Sequence, residues 1–405
     1  MSENILQHCA KCGGCTVVCP VYEVTGRESL TARGKLHLLG TKLADDPGTN
    51  YQDLFAMCLL CGACEDACPR NINIRELFVE ARSRFPSMYG QHGLQKSLVR
   101  MTLSRPKLLE GLVKAGIKLK NLSLLPADSG LRLKLGLLEQ EKKQRAAASA
   151  KQLPESVDGK QAVLYFSGCL ARYLQPSVAL ATEQIYQALT GSRLSLPDTQ
   201  VCCGLAAWSS GGIMEARRLA KKNIAAFSEN TGPILTSCAS CSSFLQTYPD
   251  LFADDPKWHA RAISFYNRVR EFSSFFLPAV QGRNLKSGPQ VSLYYHEPCH
   301  LRFDERNRQA SHRLIDMISA VTRLDSPDEQ HCCGQGGLFH IGYPELSEKI
   351  FSRAYASLQS VESGVIVTTC SGCLMQWQAG LALRNSPVTA HHLAVFLAGC
   401  LGMDD

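Results

Sequence analysis

Two cysteine runs between residues 9 and 68 constrain the fold of this chain more than any other feature. Both follow the spacing C-x2-C-x2-C-x3-C-P, with the members Cys9, Cys12, Cys15, Cys19 and Pro20, then Cys58, Cys61, Cys64, Cys68 and Pro69. This spacing is the one that holds a 4Fe–4S cluster, because three thiolates three residues apart reach three irons of one cube. The fourth cysteine, which precedes the proline, usually ligates the other cluster. We therefore predict that cluster one is held by Cys9, Cys12, Cys15 and Cys68, and cluster two by Cys58, Cys61, Cys64 and Cys19.

The alternatives for these runs are disulfides and zinc sites. The first residues do not read as a signal peptide, and we expect a reducing, cytoplasmic compartment in which disulfides are rare. Structural zinc sites generally use two separated cysteine pairs rather than two quartets that each end before a proline. Eighteen of the nineteen cysteines fall into motifs, which points to metal chemistry along the whole chain.

The positive charge of the chain is concentrated in one stretch. The formal net charge is +7 over 405 residues, whereas residues 96–145 alone hold twelve Lys or Arg against four Asp or Glu. The remainder is close to neutral, so the charge does not indicate a nucleic-acid partner. The length suits two or three domains. No apolar run approaches the ~20 residues that a membrane-spanning helix needs.

Residues 1–85 are predicted to form a helical ferredoxin domain around the two clusters. The 38 residues between the two runs are too many for a small bacterial ferredoxin. The patterns at 30–39 and 71–82 predict helices, because apolar residues recur there at helical spacing. Two basic residues of the first helix, Arg33 and Lys35, either lie near a cluster and raise its reduction potential or belong to a solvated helix face.

Residues 86–160 read as a basic connector. The sequence predicts amphipathic helices over 108–120 and 131–138, and an Ala- and Ser-rich linker over 144–152. A basic amphipathic segment suits an anionic membrane surface, a partner subunit or the core of its own protein. The membrane interpretation places residues 96–145 peripherally on the inner face of the cell membrane.

Residues 161–405 contain an internal repeat, with one copy over 161–285 and the other over 286–405. Each copy has a single cysteine, then Cys-Cys-Gly, then C-x2-C. The cysteines are Cys169, Cys202, Cys203, Cys238 and Cys241 in the first copy and Cys299, Cys332, Cys333, Cys370 and Cys373 in the second. Corresponding members lie 130 to 132 residues apart (299 − 169 = 130; 370 − 238 = 132), and such an offset indicates a duplicated fold.

Both copies alternate between strand and helix patterns. Strands are predicted over 162–168, 234–237, 291–298 and 365–369, and intervening helices over 214–227 and 344–359. This alternation predicts two α/β domains, each a Rossmann-like parallel sheet with covering helices. The cysteines then follow the carboxyl ends of strands, where open α/β sheets bind their ligands.

The order of a single Cys, Cys-Cys-Gly and C-x2-C resembles the CCG domain, which is named for that tripeptide. With both ferredoxin runs, the chain resembles the iron–sulfur subunits of glycolate oxidase, D-lactate dehydrogenase and anaerobic glycerol-3-phosphate dehydrogenase, and the catalytic subunit of heterodisulfide reductase. The resemblance implies one further iron–sulfur cluster in each copy, bound by its five cysteines. Zinc is the main alternative, since five soft thiolates suit either.

Three histidines flank the cysteines of the second copy: His296, His300 and His331. A metal-ligand or proton-relay role competes with a hydrogen-bonded histidine at a strand end or a hydrogen bond to a cluster sulfur. We expect a hydrogen-bonded histidine at a strand end or a hydrogen bond to a cluster sulfur. The remaining cysteine, Cys400, lies in a predicted C-terminal helix and is expected to be a small buried apolar residue.

The sequence shows no flavin or nicotinamide motif, since neither a G-x-G-x-x-G after a strand nor a P-loop is present. We therefore expect a chain that transfers electrons, and no catalytic residue is assigned. The resemblance implies an FAD-containing partner that oxidises a 2-hydroxy acid such as glycolate or D-lactate, with quinone or another carrier as the acceptor. The alternatives are a heterodisulfide-reductase-like catalytic subunit, a subunit of glycerol-3-phosphate dehydrogenase, and a zinc-bearing scaffold.

Overall fold

The computed structural model describes residues 9–41, 44–45, 47–86, 88–121, 139, 162–324, 331–356, 358 and 363–402. Their contacts divide the chain into two compact units. Unit 1 is Met1–Met101, Gly204–Ala216 and Pro327–Ser360, and unit 2 is Thr102–Cys203, Arg217–Ser326 and Val361–Asp405. The predicted helix over 131–138 and the linker over 144–152 lie outside the described residues.

The described part of unit 1 is helical. Its helices are α1 (Gly14–Val17), α2 (Pro20–Thr25), a 3-10 turn (Glu28–Leu30), α3 (Ala32–Leu39), α4 (Thr49–Ala56), α5 (Ala63–Asp66), α6 (Ile74–Ser83), α11 (Leu205–Ser209), α19 (Phe339–Gly342) and α20 (Pro344–Ala356). The predicted helix over 30–39 is thus a 3-10 turn followed by α3. Thr31 caps α3 by accepting a hydrogen bond from the Gly34 amide at 3.2 Å. Gly34 has no side chain because a Cβ there would overlap the Glu28 carbonyl.

An aromatic core joins the segments of unit 1. Phe55 and Phe78 are fully buried and meet edge to face, with ring centroids 5.5 Å apart. Phe339 and Tyr343, from the second repeat, belong to the same core. The Tyr343 hydroxyl also donates a hydrogen bond to Asp53 at 2.9 Å. Unit 1 therefore combines the ferredoxin runs with a segment of the second repeat that is far away in sequence.

Unit 2 contains two sheets whose described strand pairs are all parallel. The first has the order β1-β2-β3 and the second the order β5-β4-β6-β7. The strands are β1 (Leu164–Tyr165), β2 (Ile234–Thr236), β3 (Val269–Glu271), β4 (Leu285–Tyr295), β5 (Ile318–Arg323), β6 (Val365–Thr368) and β7 (Thr389–His392). Leu164 of β1 pairs with Ile234 of β2 in the first sheet, and Leu293 of β4 pairs with Val365 of β6 in the second sheet. In each repeat, the strand before the single cysteine therefore pairs with the strand before the C-x2-C motif. The prediction of parallel sheets in both copies is confirmed.

Unit 2 also contains helices before, between and after its strands. They are α8 (Pro106–Asn121), α9 (Gly168–Tyr173), α10 (Pro176–Thr190), α13 (Ala239–Gln246), α14 (Tyr248–Leu251), α15 (Pro256–Tyr266), α16 (Phe272–Val280), α17 (Cys299–Arg302), α18 (Glu305–Asp316), α21 (Ser371–Leu383) and α22 (Leu393–Cys400). Two further helices, α7 (Gly93–Leu103) and α12 (Ile213–Ala226), have residues in both units. No helix of the described ranges is long and apolar enough to cross a membrane.

One apolar core runs through both sheets of unit 2. Leu235 of β2, Leu293 of β4 and Leu393 of α22 are fully buried members of it, and Cys400 belongs to it as a buried apolar residue. Glu271 is buried although its side chain is polar. Its carboxyl group caps α16 by accepting hydrogen bonds from the amides of Ser273 and Ser274. Burial raises the pKa of Glu271 to about 8.

The boundaries of the compact units do not coincide with the sequence repeats. Segments 204–216 and 327–360, one from each copy, are counted with the ferredoxin runs. The division at residues 85, 160 and 285 therefore remains a prediction drawn from the repeats and motifs.

Candidate metal centres

The two ferredoxin runs adopt the same local backbone. Gly13 and Gly62 have φ values of 82° and 85° and precede the four-residue helices α1 and α5. Glycine adopts this left-handed conformation without the steric cost that a side chain brings. The C-x2-C-x2-C spacing thus produces a turn followed by a short helix, which directs three successive thiols towards one point.

The thiols of Cys9, Cys12 and Cys15 are gathered in the first run. Burial raises the pKa of Cys15, and the neighbouring thiols of Cys9 and Cys12 raise it further. A Cβ on Gly14 would lie 3.2 Å from the carbonyl of Ala67. The first run therefore contacts Ala67, the residue immediately before Cys68. The assignment of Cys68 to cluster one remains a prediction.

The four cysteines predicted for cluster two line one cavity in unit 1. Cys19, Cys58, Cys61 and Cys64 surround it together with apolar residues such as Phe78. Burial raises the pKa of Cys64 far above its usual range, and the thiols of Cys61, Cys58 and Cys19 act in the same direction. Four crowded, desolvated thiols oppose ionisation unless a cation compensates their charge, so this donor set fits a bound iron–sulfur group.

Lys35 lies beside this cavity. Its side chain is 1% exposed, its ammonium donates to the Leu30 carbonyl, and it interacts electrostatically with Cys58, Cys19 and Cys64. Burial lowers the pKa of Lys35, and these thiols oppose the shift. Arg33, in contrast, is partly exposed and pairs with Glu28. The Arg33 guanidinium also donates to the Lys11 carbonyl at 3.3 Å, so Arg33 lies beside the first run, whereas Lys35 lies beside the cysteines predicted for cluster two.

Arg82 is a second buried cation of this site, and the sequence did not single it out. It donates hydrogen bonds to the carbonyls of Phe55 at 2.6 Å and Cys58 at 2.7 Å, and to that of Ser209. The guanidinium holds the backbone at the start of the second run. The only signal for it in the sequence is a basic residue on the apolar face of a helix.

The five cysteines of the first repeat converge in unit 2, where Cys169 and Cys238 follow the carboxyl ends of β1 and β2. The Sγ atoms of Cys169 and Cys202 lie 3.7 Å apart, and Cys241 hydrogen-bonds to both Cys203 and Cys238. The hydrogen bond with Cys202, together with burial, raises the pKa of Cys169. All five side chains offer sulfur as the donor atom, and a set of five thiols fits an iron–sulfur cluster or zinc.

Gly168 provides space at this centre. Its φ is +72°, and a Cβ there would lie 3.0 Å from the Cys241 sulfur. A side chain at this position would thus crowd the thiols, and any larger residue would also be strained in its backbone.

Asn223 and Tyr248 hold the Cys202-Cys203 backbone. The Asn223 side chain donates to the Cys202 carbonyl at 3.1 Å and accepts from the Val201 amide at 2.9 Å. The Tyr248 hydroxyl donates to the Cys203 carbonyl at 2.7 Å. Both side chains are fully buried, and no sequence pattern singles them out.

The C-x2-C motifs of the two repeats meet in unit 2. Cys238 hydrogen-bonds to Cys370, and the Ala239 amide donates to the Thr369 carbonyl at 2.9 Å. Hydrogen bonds from Cys238 and Cys373 hold the pKa of Cys370 well below its usual range. The sequence did not predict that the thiols of one repeat contact those of the other.

The cysteines of the second repeat are divided between the units: Cys299, Cys370 and Cys373 belong to unit 2, and Cys332 and Cys333 to unit 1. Whether all five form one centre remains a prediction.

Within unit 1, the Cys332-Cys333-Gly334 tripeptide belongs to the surroundings of the ferredoxin core. The Gly334 amide donates to the Cys332 sulfur at 3.4 Å, and Cys332 packs against the same core as the ferredoxin cysteines. A Cβ on Gly336 would overlap the side chain of Leu59, which lies between Cys58 and Cys61. The loop after the tripeptide thus contacts the second ferredoxin run.

The expectation of a hydrogen-bonded His296 is not met in the described residues. Its imidazole is 1% exposed, and neither ring nitrogen has a hydrogen-bond partner among them. Burial lowers the pKa of His296 to about 4. His300, by comparison, has its Nδ1 2.9 Å from the Ser240 hydroxyl. His331 immediately precedes Cys332 in unit 1.

Glu297 fixes the backbone between His296 and Cys299. It is buried, and its carboxylate pairs with Arg308 at 2.8 Å and His312 at 2.9 Å. Burial alone would raise the pKa of Glu297, but these hydrogen bonds lower it below its usual value. The cationic partners of this buried carboxylate are Arg308 and the more distant Arg302 at 3.5 Å, and its burial makes the loss of such a partner costly, so Glu297 is a firm anchor.

Comparison with known proteins identifies two domain families along the chain. The "4Fe-4S dicluster domain" family matches residues 5–72, and the "Cysteine-rich domain" family, CCG, matches 163–246 and 293–378. The "Probable glycolate oxidase iron-sulfur subunit" of Bacillus subtilis (strain 168) is 30% identical over 99% of this chain and 95% of its own length. "Lactate utilization protein A" of Bacillus velezensis is 28% identical over 58% of this chain and 98% of its own length, and that of Bacillus pumilus 28% over 57% and 97%.

Proposed function

Because this chain belongs to the CCG-domain iron–sulfur subunits, in which a 4Fe–4S dicluster domain precedes two cysteine-rich domains, we propose that it transfers electrons within a 2-hydroxy-acid oxidoreductase. Glycolate and D-lactate are the proposed substrates of the complex, by similarity to the relatives named for glycolate and lactate. The observation that carries the proposal is the gathering of buried thiols at several points of one chain. Such sites suit iron–sulfur groups, which change charge by one electron with little movement of the protein.

The ferredoxin domain holds two 4Fe–4S clusters in this proposal. Cluster one is bound by Cys9, Cys12, Cys15 and Cys68, and cluster two by Cys58, Cys61, Cys64 and Cys19. Cys19 of the first run lines the same cavity as Cys58, Cys61 and Cys64 of the second run. This supports the proposal that each run supplies the fourth ligand of the other run's cluster. The contact of Gly14 with Ala67 supports it for cluster one.

Each CCG copy is proposed to be a Rossmann-like domain that holds one further iron–sulfur cluster or zinc. In the first copy the ligands are Cys169, Cys202, Cys203, Cys238 and Cys241, and in the second Cys299, Cys332, Cys333, Cys370 and Cys373. The parallel sheets, with Cys238 and Cys370 two residues after the ends of β2 and β6, support this placement.

The proposed route runs from an FAD-containing partner subunit through the clusters to quinone or another carrier. The contact of the loop after Cys333 with Leu59 supports a path between cluster two and the second CCG copy. The buried cations Lys35 and Arg82 hold positive charge at the cluster two cysteines, which favours arrival of an electron there.

A peripheral position on the inner face of the cell membrane is proposed for the connector. Helix α7 leaves Leu94 and Leu98 70% and 52% exposed at the start of the basic stretch 96–145, while its own Lys96 and Arg100 hydrogen-bond to Tyr89 and Ser210. Exposed leucines beside basic side chains suit the boundary of an anionic bilayer.

The test is substrate-dependent electron transfer in the host organism. Removing the chain should abolish the reduction of an added dye by extracts supplied with glycolate or D-lactate. Expression of the intact chain should restore it, and expression of Cys61→Ser should not. Unchanged dye reduction with both substrates in the strain that lacks the chain would contradict the proposal.

A further inference from the structure

His296 presents a polar ring that the protein interior does not satisfy. Both ring nitrogens are buried, and neither has a hydrogen-bond partner among the described residues. A buried nitrogen without a partner costs free energy, and native proteins rarely tolerate it without a function such as binding a ligand. Two such nitrogens on one fully buried ring therefore indicate a missing partner.

The first repeat shows that the position does not need a polar residue. The offset of 130 between Cys169 and Cys299 aligns His296 with Phe166 (296 − 130 = 166). Phe166 is fully buried and packs on Phe227, with centroids 5.9 Å apart, as His296 packs on Trp377 at 5.5 Å. An apolar ring fills the position equally well, so the nitrogens of His296 serve a purpose specific to the second repeat.

A soft donor close to His296 is a thiol of the C-x2-C motif. A ring nitrogen of His296 and the Cys373 sulfur lie within 4.8 Å of one another, and both residues are buried. Ligands of one tetrahedral metal ion, with N and S bonds of about 2.0 and 2.3 Å, lie roughly 3.6 Å apart. A modest rotation of either side chain closes this difference.

The neighbouring histidines each have a partner for one ring nitrogen, although the Nε2 of His392 is buried without one among the described residues. His300 interacts with Ser240, whose hydroxyl also contacts the Cys370 sulfur at 3.1 Å. His392 uses its Nδ1 to cap α22, by accepting the Ala394 amide at 3.1 Å. His296 is also held in place, because the residue after it, Glu297, is anchored by its ion pairs.

We propose that His296 is an imidazole ligand of the metal centre that Cys299, Cys370 and Cys373 help to form. The centre of the second repeat then has mixed nitrogen and sulfur donors, whereas that of the first repeat has thiols alone. This inference rests on the proposed metal-binding role of the CCG cysteines. Because a neutral imidazole replaces anionic charge, the second centre is the more easily reduced of the two if it is an iron–sulfur cluster.

The experiment compares the full chain, purified without oxygen, with the His296→Phe variant, which restores the residue of the first repeat. His300→Phe and His331→Phe are the matched controls. All are made with natural and with 15N-labelled histidine. Iron and zinc contents first show which metal the second centre holds, by comparison with a Cys370→Ser variant.

For an iron–sulfur centre, pulsed EPR of the reduced protein should show a strongly coupled histidine nitrogen that changes with the label. The coupling should be lost in His296→Phe and kept in both controls. For zinc, X-ray absorption should show one nitrogen ligand at about 2.0 Å in addition to sulfur ligands. In His296→Phe, another ligand should replace this nitrogen. Should His296→Phe fail to hold the metal, retention of the signal in both controls and in His392→Phe assigns it to His296.

A second centre with sulfur ligands only, a nitrogen signal that persists in His296→Phe, or one that disappears in a control overturns the inference. So does a second repeat without metal. The dye-reduction assay and the EPR signals of the ferredoxin domain decide the proposed function separately, since neither depends on which atom ligates the second centre.

Discussion

Replacing Lys35 by methionine removes a buried positive charge beside the cysteines of cluster two. The change nearly preserves side-chain length and apolar packing, although it removes the hydrogen bond to the Leu30 carbonyl, so its main effect on the potential is electrostatic. A reduced cluster carries one more negative charge than an oxidised cluster, and a nearby ammonium stabilises the reduced form. Lys35→Met should therefore lower the reduction potential of cluster two.

The size of this shift follows from the position of the ammonium. The Lys35 Nζ lies 5.9 Å from the centroid of Phe78, a ring that lines the cavity of the four cysteines. For a charge about 6–8 Å from the cluster and an effective dielectric of about 20, the interaction is about 2–3 kcal/mol. For a one-electron couple this corresponds to a decrease of about 90–120 mV.

The assay is a redox titration of the purified chain followed by EPR. Arg33→Met is the control, because Arg33 belongs to the same helix but is partly exposed and paired with Glu28. It should leave the potential of cluster two within about 20 mV, since an exposed paired charge is screened by water. A Lys35→Met protein with full iron content and an unchanged potential for cluster two would refute the reasoning.

Three further predictions follow from the described contacts. Arg82→Met leaves the carbonyls of Phe55 and Cys58 without their charged donor, and should destabilise unit 1 by about 3–5 kcal/mol; the measurement is iron release to a chelator, and a rate equal to that of the parent would contradict it. Cys68→Ser should disturb the EPR signal of cluster one; loss of the cluster two signal alone would show that the fourth ligands are not exchanged. Glu271 has a folded-state pKa raised to about 8, so its contribution to stability is complete below the pKa of the unfolded chain and is lost as the pH rises towards 8. Glu271→Gln keeps the cap and should therefore be more stable than the parent at pH 8 but not at pH 5, as measured by thermal unfolding; an equal difference at both pH values would contradict the assignment.

The local elements were largely predictable, because their signals are local. The basic helix expected over 108–120 is α8, Pro106–Asn121, and that expected over 214–227 is α12, Ile213–Ala226. The strand expected over 162–168 is shorter, with only Leu164–Tyr165 paired. Apolar periodicity shows which residues are buried, but the length of a strand depends on its neighbours, which the pattern does not contain.

The side chains that surround the cysteines were less predictable. Cysteine spacing follows from the geometry of the group it binds, so the motifs are visible in the sequence. Asn223 and Arg82 act on backbone carbonyls that lie 21 and 24 to 27 residues away, and no local pattern links them to those carbonyls. His296 was recognised as a neighbour of Cys299, yet only its burial without partners distinguishes it from a structural histidine.

The most direct test of the account is the iron, sulfide and zinc content of the full chain purified without oxygen, together with its EPR spectrum. Two four-iron cubes in the ferredoxin domain give about eight irons. The account predicts clearly more than eight irons per chain, with EPR signals beyond those of the two ferredoxin clusters. Eight irons with one or two zincs would contradict electron transfer through the CCG domains and would confine it to residues 1–85.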